Sequence, residues 1–259
     1  MLLLLPPSEG KSRPGSRRAA ADLGALSWPE LTAARQEVLD ALAEASARAD
    51  ALELLGVGAS LAGEVVANRS LRHAPSAPAG EVYSGVLFEA LDLAGLSPRG
   101  RRRAARRVVV VSALWGAVRP ADRIPAYRLS MGTSLPGIGA LASFWRSQLD
   151  GPLTAAAGDG LVVDCRSSTY QAAWTPSAPL AARTAAVRVL REDEGRRSVV
   201  SHMAKQTRGR VARHLLERTG ADPRTPRALW RAVGEAFECE LTDRSREGRA
   251  SVLDVVVRE

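Results

Sequence analysis

The stretch RRVVVVSALWG, residues 106–116, decides how this chain is read. Four consecutive valines show neither a helical nor an alternating period, and a β-branched run of this kind marks a strand covered on both faces. Strands of that type belong to sheets flanked by helices. Leu2–Leu5 and the start of LVVDCRSSTYQAAW (161–174) read the same way. Around them the periodicity turns helical. Leu31, Val38, Leu39, Leu42 and Ala45 predict a helix to about Ala47, with Ser27 as its cap, Pro29 in the first turn and Glu30 completing a capping box. Val86, Leu87, Ala90 and Leu91 predict another, Ser97-Pro98 caps a third, and LASFWRSQL (141–149) is a fourth. TAAVRVLREDEGRRSVVSHM (184–203) alternates and turns at Glu194-Gly195 as a hairpin, and 235–259 closes as a second one. The expectation is a mixed α/β fold: one compact domain over 1–259, with a central mixed sheet surrounded by helices.

The 259 residues carry a formal charge of +8, which suits a polyanionic partner. Much of that charge sits in Arg99, Arg101, Arg102, Arg103, Arg106 and Arg107, either a nucleic-acid contact or the solvated face of one helix. Cys165 and Cys239 are far apart, and His73, His202 and His214 share no ligand spacing with them, so we expect reduced thiols, no metal site and no cofactor. The leucine run is too short for a signal-peptide core, and no stretch reaches the roughly 18 apolar residues of a membrane span. A cytoplasmic monomer without a membrane partner is expected.

Of 36 basic residues only Lys11 and Lys205 are lysines. Lysine is a compact charge on a flexible stem whose pKa falls on burial, so it serves as base, nucleophile or phosphate ligand where arginine does not. Both are candidate catalytic residues. Lys11 follows a Pro6-Pro7 corner that ends the first strand and presents Ser8 and Glu9, the latter a general acid or a turn residue pairing with an arginine. Lys205 and Arg208 continue the inward stripe of Val211, Ala212, Leu215 and Leu216, with Arg210, Arg213 and Glu217 facing the other way. The loop after the valine strand interleaves Arg119, Asp122, Arg123, Tyr127 and Arg128 with prolines and glycines, as site loops do. Met131 and Trp145 belong to the core. The site candidates are Lys11, Lys205, Ser8, Tyr127 and Tyr83 for catalysis, and Arg119, Arg128, Arg208, Ser168 and Tyr170 for a bound anion.

ALELLGVGASLAGEVVANRSL (51–71) has the form of two short helices joined by Gly56-Val57-Gly58. It is similar to the helix-hairpin-helix element over about 50–68, whose glycine turn lets backbone amides approach a DNA phosphate, with Ser60 as a contact or cap. A plain helical corner with two glycines accounts for the same residues.

The order of Ser8 to Lys11, VYSGVLFEAL (82–91), SALWGAVRPADRIPAYRLSMGTSLP (112–136), FWRSQL (144–149), VVDCRSSTYQAAW (162–174) and HMAKQTRGRVARHLLE (202–217) resembles the peroxide-stress YaaA family from end to end. Gly116, Arg119-Pro120, Asp122, Tyr127-Arg128-Leu129 and Met131-Gly132 fall at that family's spacing. The resemblance implies a cytosolic α/β protein with a helix-hairpin-helix element, here Leu55 to Ala67. It also implies binding to duplex or branched DNA and a role in limiting iron-promoted damage under peroxide. The residues also support an alternative: an enzyme acting on a small anionic, phosphate- or carboxylate-bearing, or nucleotide-like substrate in a Lys, Arg, Tyr and Ser pocket.

Overall fold

The structure is a computed structural model and describes residues 1–193, 196–198 and 201–258. Its frame is the pairing of the leucine and valine runs. β1 (Leu2–Leu5) lies parallel to β2 (Val108–Ser112), with Leu3 opposite Val108. β3 (Gly116–Val118) folds back antiparallel on β2. On the other side of β1 runs β4 (Val162–Asp164), then β5 (Thr184–Asp193), both parallel to their neighbours. β6 (Arg196–Ser198) pairs antiparallel with the end of β5, and β7 (Cys239–Thr242) with β8 (Ser251–Arg258), which is parallel to β5. The order across the sheet is β7-β8-β5-β4-β1-β2-β3, with β6 on β5. Every residue of β1 and β2 is buried, as strands covered on both faces must be. Each such leucine or valine contributes roughly 1.5–3 kcal/mol.

Around the sheet stand α1 (Thr32–Ala47), the short α2 (Ala51–Leu54) and α3 (Ala62–Asn68), α4 (Val86–Leu91), α5 (Pro98–Arg107), α6 (Leu141–Ala157), the single-turn α7 (Ser168–Gln171), α8 (Ser201–Glu217) and α9 (Pro226–Gly234). Met131 and Trp145 are core residues, and both cysteines are free. Both hairpins form, although the expected turn at Glu194-Gly195 lies outside the described residues. No helix among the described residues is long and apolar enough to cross a membrane.

Three expectations change, the first two because partners elsewhere in the chain claim the side chains. Ser27 does not cap α1: its hydroxyl donates to Asp122 Oδ1 at 2.9 Å, Trp28 takes a left-handed φ of 60°, and the helix starts through a 3-10 turn. The arginine run is not one solvated face. Arg103 is buried and donates to the carbonyls of Leu216, Arg218 and Gly220, acceptors in the last turn of α8 and just beyond it. Arg99 binds the Thr219 carbonyl, Arg101 the Leu96 carbonyl, and Arg107 pairs with Asp222 at 2.5 Å. On α8, Arg213 and Glu217 face away from the inner stripe and are half-buried against the segment before α5: Arg213 donates to the Leu91, Asp92 and Gly95 carbonyls, and Glu217 holds the N–H and hydroxyl of Ser97. Lys205 is exposed rather than on the inward stripe.

Arg35, also fully buried, donates to four carbonyls, those of Ser27, Trp28, Trp115 and Ala117, and so ties α1 to the turn between β2 and β3. Burial lowers its pKa to about 10.

Candidate active site

The chain leaves β1 toward β2, whereas β4 lies on β1's opposite side. Such a switch point opens a crevice at the carboxyl ends of the strands, where open α/β sheets bind ligands. Three segments meet there: residues 6–12 after β1, Ser112 at the end of β2, and residues 165–170 after β4, tied to β1 by Cys165 N–H donating to the Leu4 carbonyl at 2.9 Å.

Pro6-Pro7 turns the first segment so that Lys11 forms a single bridge with Tyr83. The Ser12 N–H donates to the Val82 carbonyl beside it. Ser8 is consumed by this turn: its hydroxyl donates to the Gly10 carbonyl at 2.5 Å and accepts the Ser84 N–H at 3.0 Å. Lys11 Nζ donates to the backbone carbonyls of Ser8 (2.7 Å) and Glu9 (3.4 Å), so Ser8 meets the amine through its carbonyl and not as a hydroxyl nucleophile. The amine stands 4.2 Å from the centre of the Tyr127 ring and 5.8 Å from that of Tyr83. Its pKa falls from 10.5 to about 7, first because it is desolvated and second because Arg128 lies close, against the pull of Glu9 and Glu64. Arg128 engages both of those carboxylates, Glu9 at 3.2 Å and Glu64 at 2.7 Å.

Behind the amine is a chain of hydroxyls. Tyr83 and Tyr127 share a hydrogen bond of 3.1 Å, Tyr127 and Ser112 one of 2.7 Å, and the Ser112 oxygen accepts the N–H groups of Leu114 and Trp115. Burial pushes both phenols above their ordinary pKa, so they remain neutral donors. Tyr170 joins the cluster from α7, also raised by burial and by its neighbours Tyr127 and Glu9. Burial pushes the Cys165 thiol up to about 12, which leaves it inert.

The amine opens on a cleft of about 30 Å³ lined by Lys11, Arg13, Glu64, Ala67, Ala126 and Tyr127. A larger groove of about 370 Å³, between α9 and β7, holds none of the candidate residues. Of those candidates the structure gathers Lys11, Tyr83, Tyr127, Arg128 and Tyr170, with Ser8 shaping the turn. Arg119 sits at the opposite end of β2, bound to the Arg106 carbonyl at 2.7 Å and stacked on Trp28. Arg208 donates to the Val187 carbonyl, Ser168 is exposed at the start of α7, and Lys205 does not line the cleft.

Glu64, Asn68 and Ser112 are site residues that the sequence reading missed. Asn68 holds the backbone of Arg128 through both its N–H and its carbonyl. The available signals were the four-residue spacing of Glu64 and Asn68, which puts them on one helical face, and a lone hydroxyl ending an all-valine strand.

Gly56, Gly58 and Ser60 are exposed and Val57 is half-buried. Gly56 has φ +63°, and nothing lies within 4 Å of where a Cβ would stand at either glycine. This open turn leads through a 3-10 turn into α3, whose Glu64 and Ala67 reach the cleft.

Fold and site together define an α/β protein with a lysine-centred crevice at the switch point of a mixed sheet. The chain belongs to the peroxide stress protein YaaA family, whose profile matches residues 1–237. It is 51% identical over 262 residues to a UPF0246 protein of Streptomyces coelicolor, covering 100% of this chain and 99% of that one. A UPF0246 protein of Corynebacterium efficiens is 40% identical (99% and 100% covered), and one of Cereibacter sphaeroides 33% (95% and 97%).

Proposed function

We propose that this peroxide-stress-family protein binds duplex DNA across the Gly56–Ser60 turn and the mouth of the Lys11 cleft, and thereby limits iron-promoted oxidative damage. The observation that carries this reading is the shared use of α3. One end continues the open glycine turn and the other lines the cleft beside Lys11 and the exposed Arg13. A phosphate backbone following that surface meets an unencumbered backbone turn and then the exposed guanidinium of Arg13, in a chain of net charge +8. The arginines of α5 contribute less than their number promises, since Arg99, Arg101, Arg103 and Arg107 are engaged within the protein.

Fluorescence anisotropy of a labelled duplex across a salt series tests the reading. We expect steeply salt-dependent, sequence-tolerant binding, a slope reduced by about one in Arg13→Ser, and weaker binding in Gly56→Val. Absence of binding at low salt refutes it. A second reading, an enzyme for a small anionic substrate, is favoured by one observation: a lysine with a pKa of about 7 facing a cleft.

A further inference from the structure

We propose that Lys11 is a nucleophile that condenses with an aldehyde carried on a phosphate-bearing sugar. The inference rests on the DNA reading above for its choice of substrate and on the cleft for its chemistry.

The surroundings of the amine suit this use. A salt-bridging carboxylate would keep Nζ protonated, but the nearest carboxylates, Glu9 and Glu64, are held by Arg128. The direct partners of Nζ are instead two backbone carbonyls, which carry no full charge and can be satisfied by the two N–H bonds of a neutral amine. They fix two N–H directions and leave the lone pair free of a donor. The depressed pKa supplies that lone pair near pH 7. The Tyr127 face, 4.2 Å away, then stabilises the cation formed in the product.

The step balances without an oxidant or reductant. The lone pair of Nζ forms a bond to the aldehyde carbon while the carbonyl π pair moves to oxygen. The carbinolamine then takes up a proton and expels water, which leaves a protonated imine. Net, amine, aldehyde and one proton give the iminium and one water.

The size of the cleft selects among substrates. About 30 Å³ holds roughly one water-sized group, which admits a carbonyl and excludes a nucleobase. Arg13 at the mouth is placed for a flanking phosphate. An aldehyde beside a phosphate occurs in the ring-opened deoxyribose of a base-less nucleotide in DNA, and in free sugar phosphates. The adjoining glycine turn favours the first.

Cyanoborohydride trapping tests this on the full chain at pH 7, with three probes: a duplex containing one abasic site, the same duplex intact, and free 2-deoxyribose 5-phosphate. We expect a covalent adduct with the abasic duplex, assigned by peptide fragmentation to Lys11 in the wild type. Its yield should drop at least tenfold in Lys11→Met and be unchanged in Lys205→Met, and the intact duplex should give none. Mapping in the wild type keeps the test valid if Lys11→Met fails to fold. Intact-duplex anisotropy on the same preparation separates the two proposals. Binding without any Lys11 adduct overturns the nucleophile and leaves the DNA reading standing. A Lys11 adduct with the free sugar phosphate but no duplex binding sustains the nucleophile and overturns the DNA reading. Adducts that persist in folded Lys11→Met overturn the assignment to Lys11.

Discussion

Pulsed acylation across a pH series isolates Lys11, because Lys11 and Lys205 are the only lysines. A side chain lowered from 10.5 to about 7 is half unprotonated at neutral pH. An ordinary lysine is unprotonated there on the order of once in 3,000 molecules, so the free amine is enriched roughly a thousandfold. The lower basicity offsets part of that gain in rate. The assay is mass spectrometry of the two lysine-bearing peptides after short exposure to an amine-reactive ester, with exposed Lys205 as the internal comparison. Lys11 labelling should reach half its plateau near pH 7 and change little above pH 8. In Arg128→Met the midpoint should rise, because the second cause of the depression is removed and Glu9 and Glu64 are released. The same shift appears in stability. Between about pH 7 and 10.5 the unfolded state holds the proton and the folded state does not, so this group's contribution makes stability rise with pH across that window. Its cost is complete below pH 7, with a ceiling of about 5 kcal/mol that the half-buried stem reduces. Lys11→Met should therefore gain most, relative to wild type, in urea unfolding below pH 7, and the gain should fade toward pH 10. A labelling rate for Lys11 that climbs steadily to pH 10 without a plateau would refute the reasoning.

Two further changes probe the frame that holds the site. Gly116→Ala drives a Cβ against the six-membered ring edge of fully buried Trp145, 2.7 Å from Cε3, at a φ of +68°, and should cost about 3 kcal/mol or more in thermal unfolding. An unchanged melting temperature would show that the turn between β2 and β3 is not constrained as described. Asp164→Asn leaves Arg166, 1% exposed, without the carboxylate it grips through Nε (2.9 Å) and a second nitrogen (2.9 Å). Breaking a buried pair in this way costs about 3–5 kcal/mol. Because Arg166 also donates to the Tyr170 and Trp174 carbonyls, amide exchange in 167–174 should quicken first, and unaltered protection there would contradict the role assigned to Arg166.

The residues by themselves determine the sheet. Leu2–Leu5, Val108–Val111 and the run at 161–163 carry no polar face, so nothing but burial on both sides accommodates them, and the α/β class follows from neighbours in sequence. The same holds for the inner stripe of α8 and for the Ser97-Pro98 start of α5, where the cap forms within three residues. The scarcity of lysine also singled out Lys11. Tertiary structure alone decided what each polar side chain does. Arg119 and Arg128 share one loop and one chemistry, yet the first binds a carbonyl at the far end of β2 and the second joins Glu9 and Glu64 beside the amine. Lys11 and Lys205 are equally rare, and only the former is enclosed. Apolar burial is demanded by the local run of residues, whereas a guanidinium such as that of Arg128 or Arg213 takes its role from acceptors that approach from 64 to 122 positions away, and no local pattern records them.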